Sequence, residues 1–261
     1  MTRWRLVDDI GPVGDAGLAA AANMAADAAL LDTVVGGASP ALRLYRWTPP
    51  ALSLGRFQPD DDVDVDACER FGVDVVRRPT GGQGLLHGPD LTYAVAMPLP
   101  AGNAGSVDAV YELLAGALIS GLARLGVDAA IARHDGPSGP VCFAGQQGAD
   151  LRVGERKVCG SAQVRRDGAV LQHGSILLVR LPFDETDLLR PRPGSYPVTR
   201  AQLRDATVTL EELGAPTDPR VVADALVEGF AATLDLTFDL TVTPTLDLQS
   251  SQRVASSDRR G

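Results

Sequence analysis

Lysine is almost missing. Of the 24 Lys and Arg residues in the 261-residue chain, 23 are arginine, and Lys157 is the single amine. Cysteine is scarce as well. Cys68, Cys142 and Cys159 are an odd number in a long chain, which suits free thiols better than a disulfide framework. His87, His134 and His173 are scattered, and no His/Cys cluster has zinc-ligand spacing, so no metal is implied. Long apolar runs are lacking too: the stretch from Gly17 to Leu31 is interrupted by Asn23 and Asp27 and is too short to span a bilayer. The opening MTRWRLVDDIGPVGDAG has no signal-peptide core, so a cytoplasmic protein without a membrane partner is expected. Nor is there an excess of positive charge. A net charge of −9 argues against nucleic acid, and Arg77-Arg78 and Arg165-Arg166 read as solvated strand ends.

What is present is ordinary globular material, 45% hydrophobic and 22% charged. One catalytic domain is expected over residues 1–248, with a disordered polar tail over 249–261. Residues 15–33 read as an alanine-rich helix capped by Asp15. Alternation marks a strand over 42–47, with a hairpin partner over 51–57 beyond two prolines. A short acidic segment, 60–71, ends in a helical turn. Strands follow over 73–78 and 91–97, separated by the glycine loop 80–84. Residues 106–125 form an amphipathic helix closed by Gly126. Strands over 151–153, 156–165 and 169–179 are joined by turns at Gly154-Glu155 and Asp167-Gly168. Thr209 to Glu212 fits a capping box, 218–234 a second amphipathic helix, and 236–242 a last strand. Hairpins interleaved with a few long helices predict an α+β domain with a largely antiparallel mixed sheet flanked by helices.

Chemistry concentrates in a few runs. Thr80-Gly81-Gly82-Gln83-Gly84 follows a strand, and such a loop lets backbone amides approach a ligand, although it matches neither the P-loop nor the dinucleotide fingerprint. Cys142 lies in the Gly/Pro-rich loop Gly139-Pro140-Val141-Cys142, where a thiol is freer to react than in a core. A nucleophilic cysteine needs a nearby cation, and Lys157 supplies one. Cys159 is its rival, two residues from Lys157 on one strand face. On the residues alone both stay open, with a modest preference for Cys142. Cys68 sits among acids that raise its pKa. His87 and His173, each before a glycine, hold backbone in place rather than serve as general base. Leu85 and Leu86, beside that loop, are apolar residues for core or pocket lining.

Together these runs resemble the catalytic domain shared by lipoate–protein ligases, octanoyltransferases and biotin–protein ligases. Leu42 to Trp47 with Pro49 to Gln58 resembles its opening hairpin, and Arg77-Arg78-Pro79-Thr80-Gly81-Gly82 its arginine-bearing glycine loop. Lys157 with Gly160-Ser161-Ala162-Gln163 resembles its catalytic-lysine strand, and Leu171-Gln172-His173-Gly174-Ser175 the strand after it. The cysteine–lysine octanoyltransferases of lipoate biosynthesis match best, because Cys142-Phe143 precedes Lys157 at that branch's spacing. Two runs depart from it. His87-Gly88-Pro89 replaces the usual His-Asp, and Gly145-Gln146-Gln147-Gly148 is richer in glycine.

The resemblance implies Cys142 as nucleophile and Lys157 as the residue that lowers its pKa. It implies substrate contacts at Arg78, Thr80, Gly81, Gly82, Gln83, His87, Gly160, Ser161, Ala162, His173, Gly174 and Ser175. Octanoyl would pass from octanoyl-acyl carrier protein, through a cysteine thioester, to a lysine of an apo lipoyl domain or glycine cleavage H protein, with no cofactor. The alternatives are an ATP-dependent lipoate–protein ligase and a lipoyl-domain amidotransferase.

Overall fold

The computed structural model describes residues 2–11, 17–132, 150–192 and 197–241. In chain order the elements are β1 (Thr2–Asp9), α1 (Ala20–Val35), β2 (Ala41–Tyr45), β3 (Ala51–Leu54), α2 (Val65–Phe71), β4 (Asp74–Arg77), β5 (Leu85–His87) and β6 (Asp90–Pro98). There follow α3 (Val107–Arg124), β7 (Ala130–Ile131), β8 (Leu151–Val153), β9 (Arg156–Arg166), β10 (Ala169–Leu177), α4 (Glu185–Leu188), α5 (Arg200–Ala206), α6 (Pro219–Leu234) and β11 (Leu236–Thr241). The class is α+β. An eight-stranded sheet runs β11-β1-β2-β6-β10-β9-β8-β7, and a small sheet runs β4-β3-β5. The large sheet is parallel where β1 meets β11 and β2, and antiparallel elsewhere.

Strand alternation divides the core. Tyr93 and Val95 of β6 and Val170 of β10 pack under α3 and α6. Those helices come so close that a Cβ on Gly229 would lie 2.3 Å from the Gly121 nitrogen. The opposite face carries Ala94 and Ala96 of β6 with Ala169 and Leu171 of β10, against α1. With a period of two, His173 and Ser175 continue the face of Leu171, and Arg43 and Tyr45 continue that of Ala41. This face therefore turns polar toward one end of the sheet. The small sheet packs on α2, α4 and the Leu203 turn of α5.

Local chemistry explains most boundaries. Ser106 and Asp218 cap α3 and α6 through Ala109 N and through Arg220 N and Val221 N. The β9–β10 hairpin turns through Asp167 and Gly168, both at positive φ (49° and 78°), as a tight primed turn requires. Two expectations are corrected, and one strand was not foreseen. The strand 51–57 is not the hairpin partner of 42–47: prolines 49 and 50 offer no N–H to a ladder, and β3 pairs with β4 and β5 instead. The first helix begins at Ala20, because Leu18 is drawn into extended pairing with Arg46 and Thr48; Asp15 lies outside the described residues. The N-terminal strand β1 escapes sequence reading because its buried residues, Trp4 and Val7, are three apart rather than two. The tail 249–261 also lies outside the described residues.

Candidate functional site

The polar end of the α1 face is a closed hydrogen-bond network built on two buried carboxylates. Asp27 of α1 accepts from Arg43 (Nη1 to Oδ1, 2.7 Å), from the Tyr45 hydroxyl (2.9 Å) and from His173 Nδ1 (2.8 Å). Asn23 and Asp27, which interrupt the apolar run in the sequence, are thus the inward side of the helix. Burial by itself would raise the Asp27 pKa; the His173 hydrogen bond and the Arg43 charge overcome it and hold the carboxyl below its usual range. His173 Nε2 lies 2.7 Å from Thr80 Oγ1, so this histidine ties α1 to the glycine loop.

Asp90 makes the second centre. Its Oδ2 lies 2.9 Å from His87 Nδ1 and accepts from the Thr92 hydroxyl at 2.9 Å and from Ser175 Oγ. His87 Nε2 meets Ser53 Oγ at 2.9 Å, and the ring stacks on Trp47 with centroids 4.0 Å apart. Burial pushes Asp90 up, and the charge and hydrogen bond of His87 lead the contributions that bring it down. Both histidines are thus pinned at both ring nitrogens, an arrangement that places backbone and aromatic walls rather than a mobile base.

Arg78 braces the glycine loop from within. Its Nη2 donates to Gly81 O and Gln83 O, both at 2.8 Å, and its Nη1 to Ser53 O at 2.8 Å. Gly82 adopts φ +96°, and Gly55 packs so tightly that a Cβ there would sit 1.9 Å from Gly82 O. Side chains other than hydrogen are excluded at that crossing.

Between these networks lies a cavity of about 380 Å³, with Met24, Tyr45, Trp47, Leu85 and Thr92 in its walls. Of the residues expected from the sequence, it gathers Arg78, His87, Gly160, Ser161, Ala162, His173 and Gly174. Thr80 and Ser175 stand behind this wall, bonded to His173 and Asp90, and the glycines 81 and 82 belong to the loop that Arg78 of the lining holds. Gln83 is not in the lining; its Oε1 accepts from Arg192 Nη2 at 2.7 Å. A larger cavity, about 540 Å³, opens across β5 and takes Leu86, Leu177 and Glu185. Strand alternation therefore splits the two leucines, Leu85 to one cavity and Leu86 to the other. The smaller cavity holds seven of the site residues expected from the sequence and the larger one none, so the smaller one is the candidate site.

Lys157 is 2% exposed, and its Nζ lies 2.7 Å from Asp150 Oδ2, itself 2% exposed. Asp150 Oδ1 accepts from the Ser161 N–H at 3.3 Å, which joins the lysine to the cavity wall. Sequence reasoning missed Asp150; the signal available was an acid opening the strand that pairs with the lysine strand. Cys159 is fully buried among Leu151 and Val158. Burial first, then the Asp150 charge, pushes its thiol up to about 12, so it cannot supply a thiolate near neutral pH. Cys68 is likewise raised by burial and then by Asp64. Cys142 lies outside the described residues, as does His134. Among the described residues no cluster of three or more His, Cys, Asp or Glu could hold a metal ion, and no helix is long and apolar enough to cross a membrane.

Comparison with known proteins places this geometry. Residues 19–231 match the model of the lipoyl protein ligase A/B catalytic domain. The chain is 40% identical over 252 residues to an octanoyltransferase LipM of Symbiobacterium thermophilum, covering 90% of this chain and 88% of that one. It is 40% identical to the octanoyltransferase LipM of Kyrpidia tusciae, covering 82% and 83%. Among solved structures, lipoate-protein ligase A bound with ATP superposes with a TM-score of 0.74 at 24% identity, covering 98% and 94%. A bi-partite lipoate protein ligase of Thermoplasma acidophilum, studied with its E2 lipoyl domain, gives 0.70 at 24%, covering 98% and 92%. A match over most of the chain, with relatives at this identity, shows that the protein belongs to the lipoyl protein ligase A/B catalytic-domain family.

Proposed function

We propose that this protein is an octanoyltransferase that moves octanoyl from acyl carrier protein to a lysine of an apo lipoyl domain, such as glycine cleavage H protein, through a thioester on Cys142. The observation that carries this reading is the 40% identity to octanoyltransferases over nine-tenths of the chain. The cavity beside the Asp150–Lys157 pair supports it: aromatic and apolar walls suit an eight-carbon chain, each buried methylene contributing on the order of 0.8 kcal/mol.

In this mechanism the Cys142 thiolate attacks the carrier thioester. A tetrahedral oxyanion forms and collapses, expelling the carrier thiolate, which takes up a proton. The acceptor amine then attacks the octanoyl-enzyme, gives up a proton, and releases the Cys142 thiolate with a new amide. Backbone amides from the Gly81–Gln83 loop stabilise the oxyanion. Lys157 favours the ionised sulfur, and Asp150 orients the ammonium. No ATP enters, because the donor arrives already activated.

Intact-mass analysis after exposure to octanoyl-carrier tests this. Wild type and Cys159→Ser are expected to gain one octanoyl group, and Cys142→Ser none. Acyl transfer that needs ATP and survives Cys142→Ser would establish a ligase instead. Octanoyl accepted only from another lipoyl domain would establish an amidotransferase.

A further inference from the structure

Among Gly81, Gly82, Gln83 and Gly84, only Gln83 has a side chain that can be gripped, and it is gripped from outside the cavity. Arg192 Nη2 donates to Gln83 Oε1 at 2.7 Å and to Asp62 Oδ2 at 2.6 Å, while Arg192 Nε lies 3.0 and 3.1 Å from the two Asp62 oxygens. Asp62 is 5% exposed, and its carbonyl accepts the Arg190 N–H at 2.7 Å, so the anchor is itself held. One residue before Arg190, Leu189 packs against Gly84, where an added Cβ would lie 2.7 Å from Leu189 Cδ1.

We propose that Arg192 is a positioning residue for acyl transfer: through Gln83 it locks the outer side of the glycine loop, so that the loop amides hold their aim at the substrate carbonyl. The proposal rests on the octanoyltransferase reading for its substrate. The physical need is plain. Glycines restrict their own backbone least of all residues, and Gly82 already sits at φ +96°. Arg78 holds the inner side through the carbonyls of Gly81 and Gln83, which leaves rotation about that edge open. A second grip on the opposite side removes it. Guanidinium suits the task because one planar fork reaches a carboxylate and an amide oxygen together, which a lysine ammonium does not do in fixed geometry. Donors fixed before the reaction stabilise an oxyanion best, since no reorganisation is left to perform.

Gln83→Met keeps the length of the side chain and removes its acceptor, leaving the Arg192–Asp62 pair intact. Arg192→Lys keeps the charge and loses the fork. Each single variant, and the pair combined, is compared with wild type by steady-state octanoyl transfer, thermal melting and amide hydrogen exchange over residues 80–86. Each single change is expected to lower kcat/KM about tenfold, the double change no further, and exchange at Gly81 and Gly82 to quicken while melting by Gln83→Met stays close to wild type. Unchanged rates and exchange, additive losses, or a loss that follows melting temperature across the variants would each overturn the proposal. If wild type transfers no octanoyl at all, the substrate reading fails, and the exchange comparison still decides whether Arg192 holds the loop.

Discussion

Asp150 Oδ2 stands 2.7 Å from Lys157 Nζ, and the same carboxylate accepts the N–H of Ser161 in the cavity wall. The only lysine of the chain is thus aimed by an acid that opens the neighbouring strand segment. Taking away one partner of a buried pair costs about 3–5 kcal/mol, whereas replacing both by apolar groups of similar size is often neutral. Asp150→Asn is therefore expected to destabilise the fold by that order in denaturant melts and to lower octanoyl transfer at least tenfold. Asp150→Leu combined with Lys157→Met is expected to regain stability and remain inactive. Normal transfer by Asp150→Asn would show that the carboxylate has no part in placing the lysine.

Gly174 faces Ser161 across the β9–β10 ladder. A Cβ there would lie 2.5 Å from Gly160 O, 2.6 Å from Tyr93 Cε1 and 2.8 Å from Ser161 Oγ. Backbone cannot yield cheaply, so Gly174→Ala is expected to cost about 1–3 kcal/mol in stability. The strand carrying Gly160 to Ala162 must shift toward the cavity or away from it, and transfer should fall more for octanoyl than for a butyryl donor. Equal losses for both chain lengths would place the strain outside the acyl path.

Glu185 is buried behind β5, where its Oε1 accepts the Leu86 N–H at 3.1 Å. Burial pushes its carboxyl from 4.5 to about 7. The folded state therefore binds the proton more tightly than the unfolded state, and stability is full below about pH 4.5 and declines as pH rises through 7. The loss amounts to on the order of 3 kcal/mol. Glu185→Gln, which keeps the acceptor without the charge, is expected to match wild type in melts near pH 5 and exceed it near pH 8.5. An equal difference at both pH values would show that Glu185 does not titrate in this range.

The first expectations met the structure unevenly, for identifiable reasons. Helices 106–125 and 218–234 were legible because their periodicity, caps and Gly126 act within a few residues. The β9–β10 hairpin was legible because Asp-Gly supplies both positive φ values. The small sheet was not, because its pairing of β3 with β4 and β5 depends on segments far apart in sequence, and the prolines after Trp47 hide the change of partner. Gln83 shows the same limit within the site: a glycine-loop side chain that reads as a substrate contact is held by an arginine 109 positions away.

By itself, the sequence determined the class of fold, the glycine loop, the lone lysine and the histidine-bearing strand, since each depends on residue type and on neighbours in the chain. Only tertiary structure decided that Asp27 and Asp90 clamp the two histidines, that Asp150 faces Lys157, and that Cys159 sits in apolar surroundings where its proton is held. Those are consequences of burial and of charges brought within hydrogen-bond reach from distant segments. Strand alternation can say which side a residue shares, but not what stands opposite.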